Sequence, residues 1–137
     1  MSSGTTESRG LLVVVSGPSG VGKTTIVRAL RDRLEGMLST SATTRPQSPQ
    51  EAEGVDYYFM DEARFRSMIE AGQFIEHAQV FGRHLYGTPR GPVEEALGAG
   101  GLVILEIDVQ GARQVKEKLP EAFAMFILPP DERTLLE

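Results

Sequence analysis

The sequence predicts an α/β fold, a parallel sheet flanked by helices with a smaller α+β lobe inserted into it. Two short apolar runs, Leu11–Ser16 and Leu102–Ile107, each lead into a segment with helical periodicity. Strands buried on both faces of a parallel sheet read as such continuous runs, and their alternation with helices marks this architecture. Between the two runs lies a long polar stretch of different pattern.

Leu11–Ser16 is rich in valine and closes at Gly17-Pro18, which predicts a buried strand. Lys23–Leu34 follows with Ile26, Val27, Leu30 and Leu34 on one helical stripe and arginines between them. Ser39–Glu53, crowded with Ser, Thr, Pro, Gln and Glu, reads as an exposed strand and a loop. Tyr57–Met60 fits a short strand, and Asp61 caps a helix carrying Phe65, Met68 and Ile69. Phe74–Val80 reads as a strand and Gly82–Gly91 as loop. After Leu102–Ile107, Val109–Leu119 is helix-like and closed by Pro120, and Phe123–Leu128 is a third core strand stopped by Pro129-Pro130. The division that follows is a flexible N-terminus over 1–10, a core over 11–39 and 92–137, and an inserted lobe over 40–91.

Composition narrows the partners. A net charge of −5 opposes general nucleic-acid binding, which needs a basic field. The absence of cysteine removes disulfides, thiolate nucleophiles and cysteine-based metal sites. No apolar run has the length of a membrane span, and the first ten residues have no apolar stretch of a secretory signal. These features predict a cytoplasmic protein that binds neither nucleic acid nor membrane. Oligomeric state is not legible.

Gly17-Pro18-Ser19-Gly20-Val21-Gly22-Lys23-Thr24 matches the phosphate-loop pattern G-x-x-x-x-G-K-[ST] in full, with Thr25 next. The glycines allow successive backbone N–H groups to turn toward one anion, and the following helix adds its positive end. Lys23 can reach the β- and γ-phosphates of a nucleoside triphosphate, and the Thr24 hydroxyl can ligate Mg²⁺. A glycine-rich turn is the plain alternative. The buried strand before it and the helix after it decide for the phosphate loop. Glu106 and Asp108, two apart at the exit of the second core strand, suit a hydrated Mg²⁺, with Glu106 acting through water, or a donor-rich ligand. They equally suit solvated acids with Asp108 as a helix N-cap.

The inserted lobe carries the second set of candidates. In Phe74–Val80, strict alternation puts Phe74, Glu76, Ala78 and Val80 on one face, so Glu76 is an acid among apolar neighbours. A buried carboxylate needs a partner, which is either a ligand or a nearby arginine. His77 falls on the opposite face. Ser41, Thr43 and Arg45 share a face if extended, a hydroxyl and guanidinium stripe suited to a phosphate, and Tyr57 and Tyr86 can add phenolic hydroxyls.

Taken in order, Gly17–Thr24, Ser41-x-Thr-Thr-Arg45, Gly54-x-Asp-Tyr57, Phe74-Ile-Glu76, Tyr86-Gly-Thr88 and Ile107-Asp-Val-Gln-Gly111 resemble the guanylate kinases, P-loop nucleoside monophosphate kinases. The resemblance runs from about Leu11 to the end. It implies ATP on 17–25 with Mg²⁺, and GMP as phosphoryl acceptor in the inserted lobe. It also implies that Ser41, Glu76 and Asp108 contact guanine, that Arg45, Tyr57 and Tyr86 hold the GMP phosphate, and that Thr88 lines the same pocket. A carboxylate suits guanine independently, because it accepts from the adjacent N1–H and N2–H, where adenine presents an acceptor. Two departures stand out. Ser48 occupies the place of the family's second arginine, and one extra residue in Phe81–Tyr86 shifts the match at Tyr86, where Arg83 is a candidate to supply the missing charge. The resemblance further implies an arginine-bearing lid and more helices after Glu137. On that expectation this chain is C-terminally truncated and turns over GMP slowly.

Overall fold

The valine run becomes an interior strand. In the computed structural model, which describes residues 10–17, 22–80 and 83–127, β1 (Leu11–Ser16) lies between β7 (Leu102–Glu106) and β8 (Phe123–Phe126). A short β2 (Met37–Leu38) flanks β7, and all these pairings are parallel. The β1–β7 register aligns Val13 with Ile104 and Val14 with Leu105. Helix α1 (Lys23–Leu34) covers the face of Val13, Val15 and Ile104 with Ile26, Val27 and Leu30. Helix α4 (Val109–Lys118) packs on β1 and β8 and buries Gly111, Ala112 and Val115. Burial on both faces explains why these strands read as unbroken apolar runs.

The second sheet is mixed. Its order is β4 (Tyr58–Phe59), β3 (Ala42–Thr43), β6 (His84–Pro89), β5 (Phe74–Val80). The β3–β4 pair is parallel, and the β3–β6 and β5–β6 pairs are antiparallel. Helix α2 (Glu62–Glu70), capped by Asp61 accepting from the Arg64 N–H, seats Phe65 against Phe74 with ring centroids 4.4 Å apart. Such a stacked pair contributes about 0.5–1.5 kcal/mol beyond its burial. Ala42, Phe65, Phe74 and Leu85 form the core of this unit. Helix α3 (Arg90–Gly98) follows β6 directly. The chain divides into one unit of 1–38 with 96–137 and another of 39–95, so the second boundary falls within α3.

Three sequence expectations change here. The polar segment at β3 is not exposed: Ala42 and Thr43 are fully buried between β4 and β6. Hydroxyls make this affordable, since Thr43 Oγ1 donates to the Leu85 carbonyl and Thr44 Oγ1 accepts from the Leu85 N–H. Residues 84–91 are not loop but strand β6 and the start of α3. Gly87 sits inside that strand because a Cβ would come within 2.9 Å of the Phe74 ring and 3.1 Å of Phe65. Finally, β5 shifts register between Phe74 and Glu76. Phe74 opposes Pro89 and Glu76 opposes Thr88, so two steps on β5 match one on β6. The bulge at Ile75 moves Phe74 to the side of His77 and Gly87, away from Glu76.

Candidate functional site

At the carboxyl end of β1, Gly17 is buried with φ 140°, and an added Cβ would overlap the Ile127 carbonyl oxygen. Only glycine fits that backbone. Gly22, at φ 99°, is the N-cap of α1 and makes no side-chain cap. The first turn of α1 carries no acid, so its N–H groups and positive end face no competing carboxylate of their own turn. Lys23 is half-buried there, and Thr24 and Thr25 are exposed. Pro18, Ser19, Gly20 and Val21 lie outside the described residues. In the same unit Glu106 ends β7, exposed, and Asp108 caps α4 by accepting from the Gly111 N–H at 2.8 Å. The N-cap role of Asp108 is therefore real, and it uses Oδ1.

In the other unit, the strand register collects the remaining candidates on one face. Glu76 opposes Thr88, Ala78 opposes Tyr86, and Tyr86 in turn opposes Thr43. Side chains of directly opposed residues share a face. Alternation then adds Ser41 beside Thr43, and pairing adds Phe59. The opposite face holds Ala42, Phe74 and Leu85 under α2. Glu76 is 5% exposed, and its Oε2 accepts a 2.8 Å hydrogen bond from the Thr88 hydroxyl, itself 1% exposed. That bond fixes the carboxylate and keeps Oε2 an acceptor.

Next to this pair lies an aromatic and cationic cluster. The rings of Tyr57 and Tyr86 stand edge to face at 5.8 Å, and Tyr57 meets Phe59 at 5.7 Å. The Arg45 guanidinium lies over both, 5.2 Å from the Tyr57 centroid and 5.9 Å from that of Phe59. Burial raises the Tyr57 pKa, an effect that Arg45 partly offsets. Arg45 is held charged, above its ordinary pKa, first by its hydrogen bonds to Glu51 and then by Tyr86.

Glu51 escaped the sequence reading. It forms a two-point ion pair with Arg45, Nη1 to Oε1 at 3.1 Å and Nη2 to Oε2 at 2.7 Å. The Ser48 N–H donates to the same Oε1 at 3.0 Å. These contacts lower the Glu51 pKa to about 2, with the Arg45 hydrogen bond as the largest cause. The available signal was an arginine and a glutamate bracketing a turn that contains Pro46 and Pro49. Arg83, the candidate for the charge absent at Ser48, is exposed just before β6. Phe81 and Gly82 lie outside the described residues.

A guanylate kinase family model matches residues 9–137. The chain belongs to the guanylate kinase family. It is 54% identical over 126 residues to the guanylate kinase of Thermosynechococcus vestitus, an alignment covering 91% of this chain and 65% of that protein. Identity to the guanylate kinase of Chromohalobacter salexigens is 54% over 129 residues, 93% of this chain and 60% of that one. The crystal structure of guanylate kinase from Anaplasma phagocytophilum superposes with a TM-score of 0.76 at 37% identity, covering 94% of this chain and 65% of that chain. This guanylate kinase family chain thus spans about 60 to 65% of the length of these relatives. Among its described residues, no helix is long and apolar enough to cross a membrane.

Proposed function

We propose that the chain acts as an ATP-dependent guanylate kinase, moving the γ-phosphoryl group of ATP to GMP to give ADP and GDP, in the cytoplasm where both nucleotides are found. The observation that carries this reading is the buried Glu76–Thr88 pair on the same sheet face as Arg45, Tyr57 and Tyr86. Glu76 accepts from guanine N1–H and N2–H, with Ser41 and Asp108 as further base contacts. Arg45, Tyr57 and Tyr86 hold the GMP phosphate, and Thr88 orients Glu76.

ATP lies on 17–25, where the Gly17 and Gly22 backbone and the start of α1 suit phosphates. Lys23 neutralises charge on the transferring group. Mg²⁺ fits Thr24, with Glu106 through water. When bound, Mg²⁺ supplies charge neutralisation at those phosphates. No protein nucleophile is required, since a GMP phosphate oxygen is itself the attacking group.

Turnover of GMP and AMP by the chain and by Glu76→Gln tests this. The wild type should prefer GMP, and the amide, which presents a donor where an acceptor is needed, should cut that preference by about 10–100-fold in kcat/KM. An unchanged GMP-to-AMP ratio in the variant rejects the role of Glu76. Absence of ATP consumption with either nucleotide, together with binding of a phosphopeptide, would favour an interaction module instead.

A further inference from the structure

The Arg45–Glu51 pair has a geometry that a surface salt bridge does not need. An arginine carries five N–H groups in a rigid plane. The Glu51 carboxylate takes one from Nη1 and one from Nη2, and the Pro46 carbonyl takes the second from Nη1 at 3.1 Å. Among the described residues these bonds leave the Nε–H and one Nη2 hydrogen, parallel along a single edge of the guanidinium, with the Tyr86 hydroxyl also interacting with the cation. Glu51 is itself anchored: its N–H donates to the Ser48 carbonyl at 3.0 Å, and its carbonyl accepts from Gln47 Nε2 at 2.7 Å. The guanidinium carbon also lies over the Tyr57 and Phe59 rings, 5.2 and 5.9 Å from their centroids.

We propose that Glu51 is the positioning residue of the acceptor site: by gripping the end of Arg45 it presents the Nε–Nη2 edge to the phosphate of GMP. The inference rests on the reading of Arg45 as a ligand of that phosphate. It assigns Glu51 no contact with substrate. A two-point grip on a planar cation removes the rotations that a phosphate would otherwise have to arrest, so binding loses less entropy. Ser48 makes this matter more, since it stands where the family pattern has a second arginine.

Calorimetric titration of GMP and of guanosine, on wild type and on Glu51→Gln, tests the assignment. Glutamine keeps the size but cannot accept from both Nη groups, so GMP affinity should fall about tenfold while guanosine affinity is unchanged. In an Arg45→Lys background, where no fork exists, Glu51→Gln should add little further loss. Equal or tighter GMP binding by the glutamine variant overturns the proposal, and tighter binding would mean that the carboxylate competes with the phosphate. An equal loss for guanosine would assign Glu51 to loop folding, and an undiminished loss in the lysine background would detach it from Arg45. Wild type that binds GMP no better than guanosine would instead remove the phosphate role of Arg45, and the inference with it.

Discussion

At the end of β1 the proposed phosphate site is backbone: Gly17 and Gly22 in left-handed conformations and the uncapped first turn of α1. Around the second sheet it is side chain: Arg45 from the loop after β3, Tyr57 just before β4 and Tyr86 from β6, with Glu51 behind them. The first lies within one contiguous stretch of sequence, where Gly17 and Gly22 hold backbone conformations that favour glycine. The second draws on residues spread over more than forty positions, and its geometry depends on strand register. A site made of backbone depends on local conformation, whereas a site made of side chains depends on everything that aligns the strands.

The largest test of this contrast is Lys23→Ala. Removing the one side-chain cation of the backbone site should lower kcat by about 10²–10³-fold, as loss of a transition-state charge contact does. Calorimetric GMP affinity should stay as it was, because Lys23 is assigned to the phosphates of ATP and to none of the proposed GMP contacts. A loss of GMP binding in step with turnover would show that the two sites are not separable.

Ser48→Arg sharpens the side-chain half. The Ser48 N–H already points at the Glu51 carboxylate beside Arg45. A guanidinium there should tighten GMP by about tenfold through a charge-assisted hydrogen bond. Titration calorimetry without any gain would mean that Arg45, as Glu51 holds it, already satisfies the phosphate.

The smallest effect is in acid. Glu51 is depressed from 4.5 to about 2, so the Arg45–Glu51 pair contributes fully above pH 4.5 and is lost only as pH falls through about 2. Carbon-detected carboxyl titration should find Glu51 still ionised at pH 4, where ordinary glutamates are largely protonated. A midpoint near the usual value would mean that the fork is not made in solution.

Local patterns carried much of this molecule. The apolar runs at Leu11 and Leu102, the glycines around Lys23, and the caps Asp61 and Asp108 each act within a few residues, and the elements form where those patterns place them. Glu76 stood out because an acid in an apolar strand is costly wherever the strand pairs. Its partner and its face were another matter. The Ile75 bulge reversed the side on which Phe74 lies, and no local pattern announces a bulge that brings Phe74 onto Phe65, a residue of another element, beside Gly87. Residues 84–91 read as loop because Gly87 and Pro89 disfavour strand, a preference overridden by pairing on both sides of β6. Sequence by itself determined the class of fold, the phosphate loop and the residue types of the second site, since these follow from composition and spacing along the chain. The shared face of Glu76, Thr88 and Tyr86, and the grip of Glu51 on Arg45, were decided only by tertiary structure, because register and side-chain direction are set by contacts between segments distant in sequence.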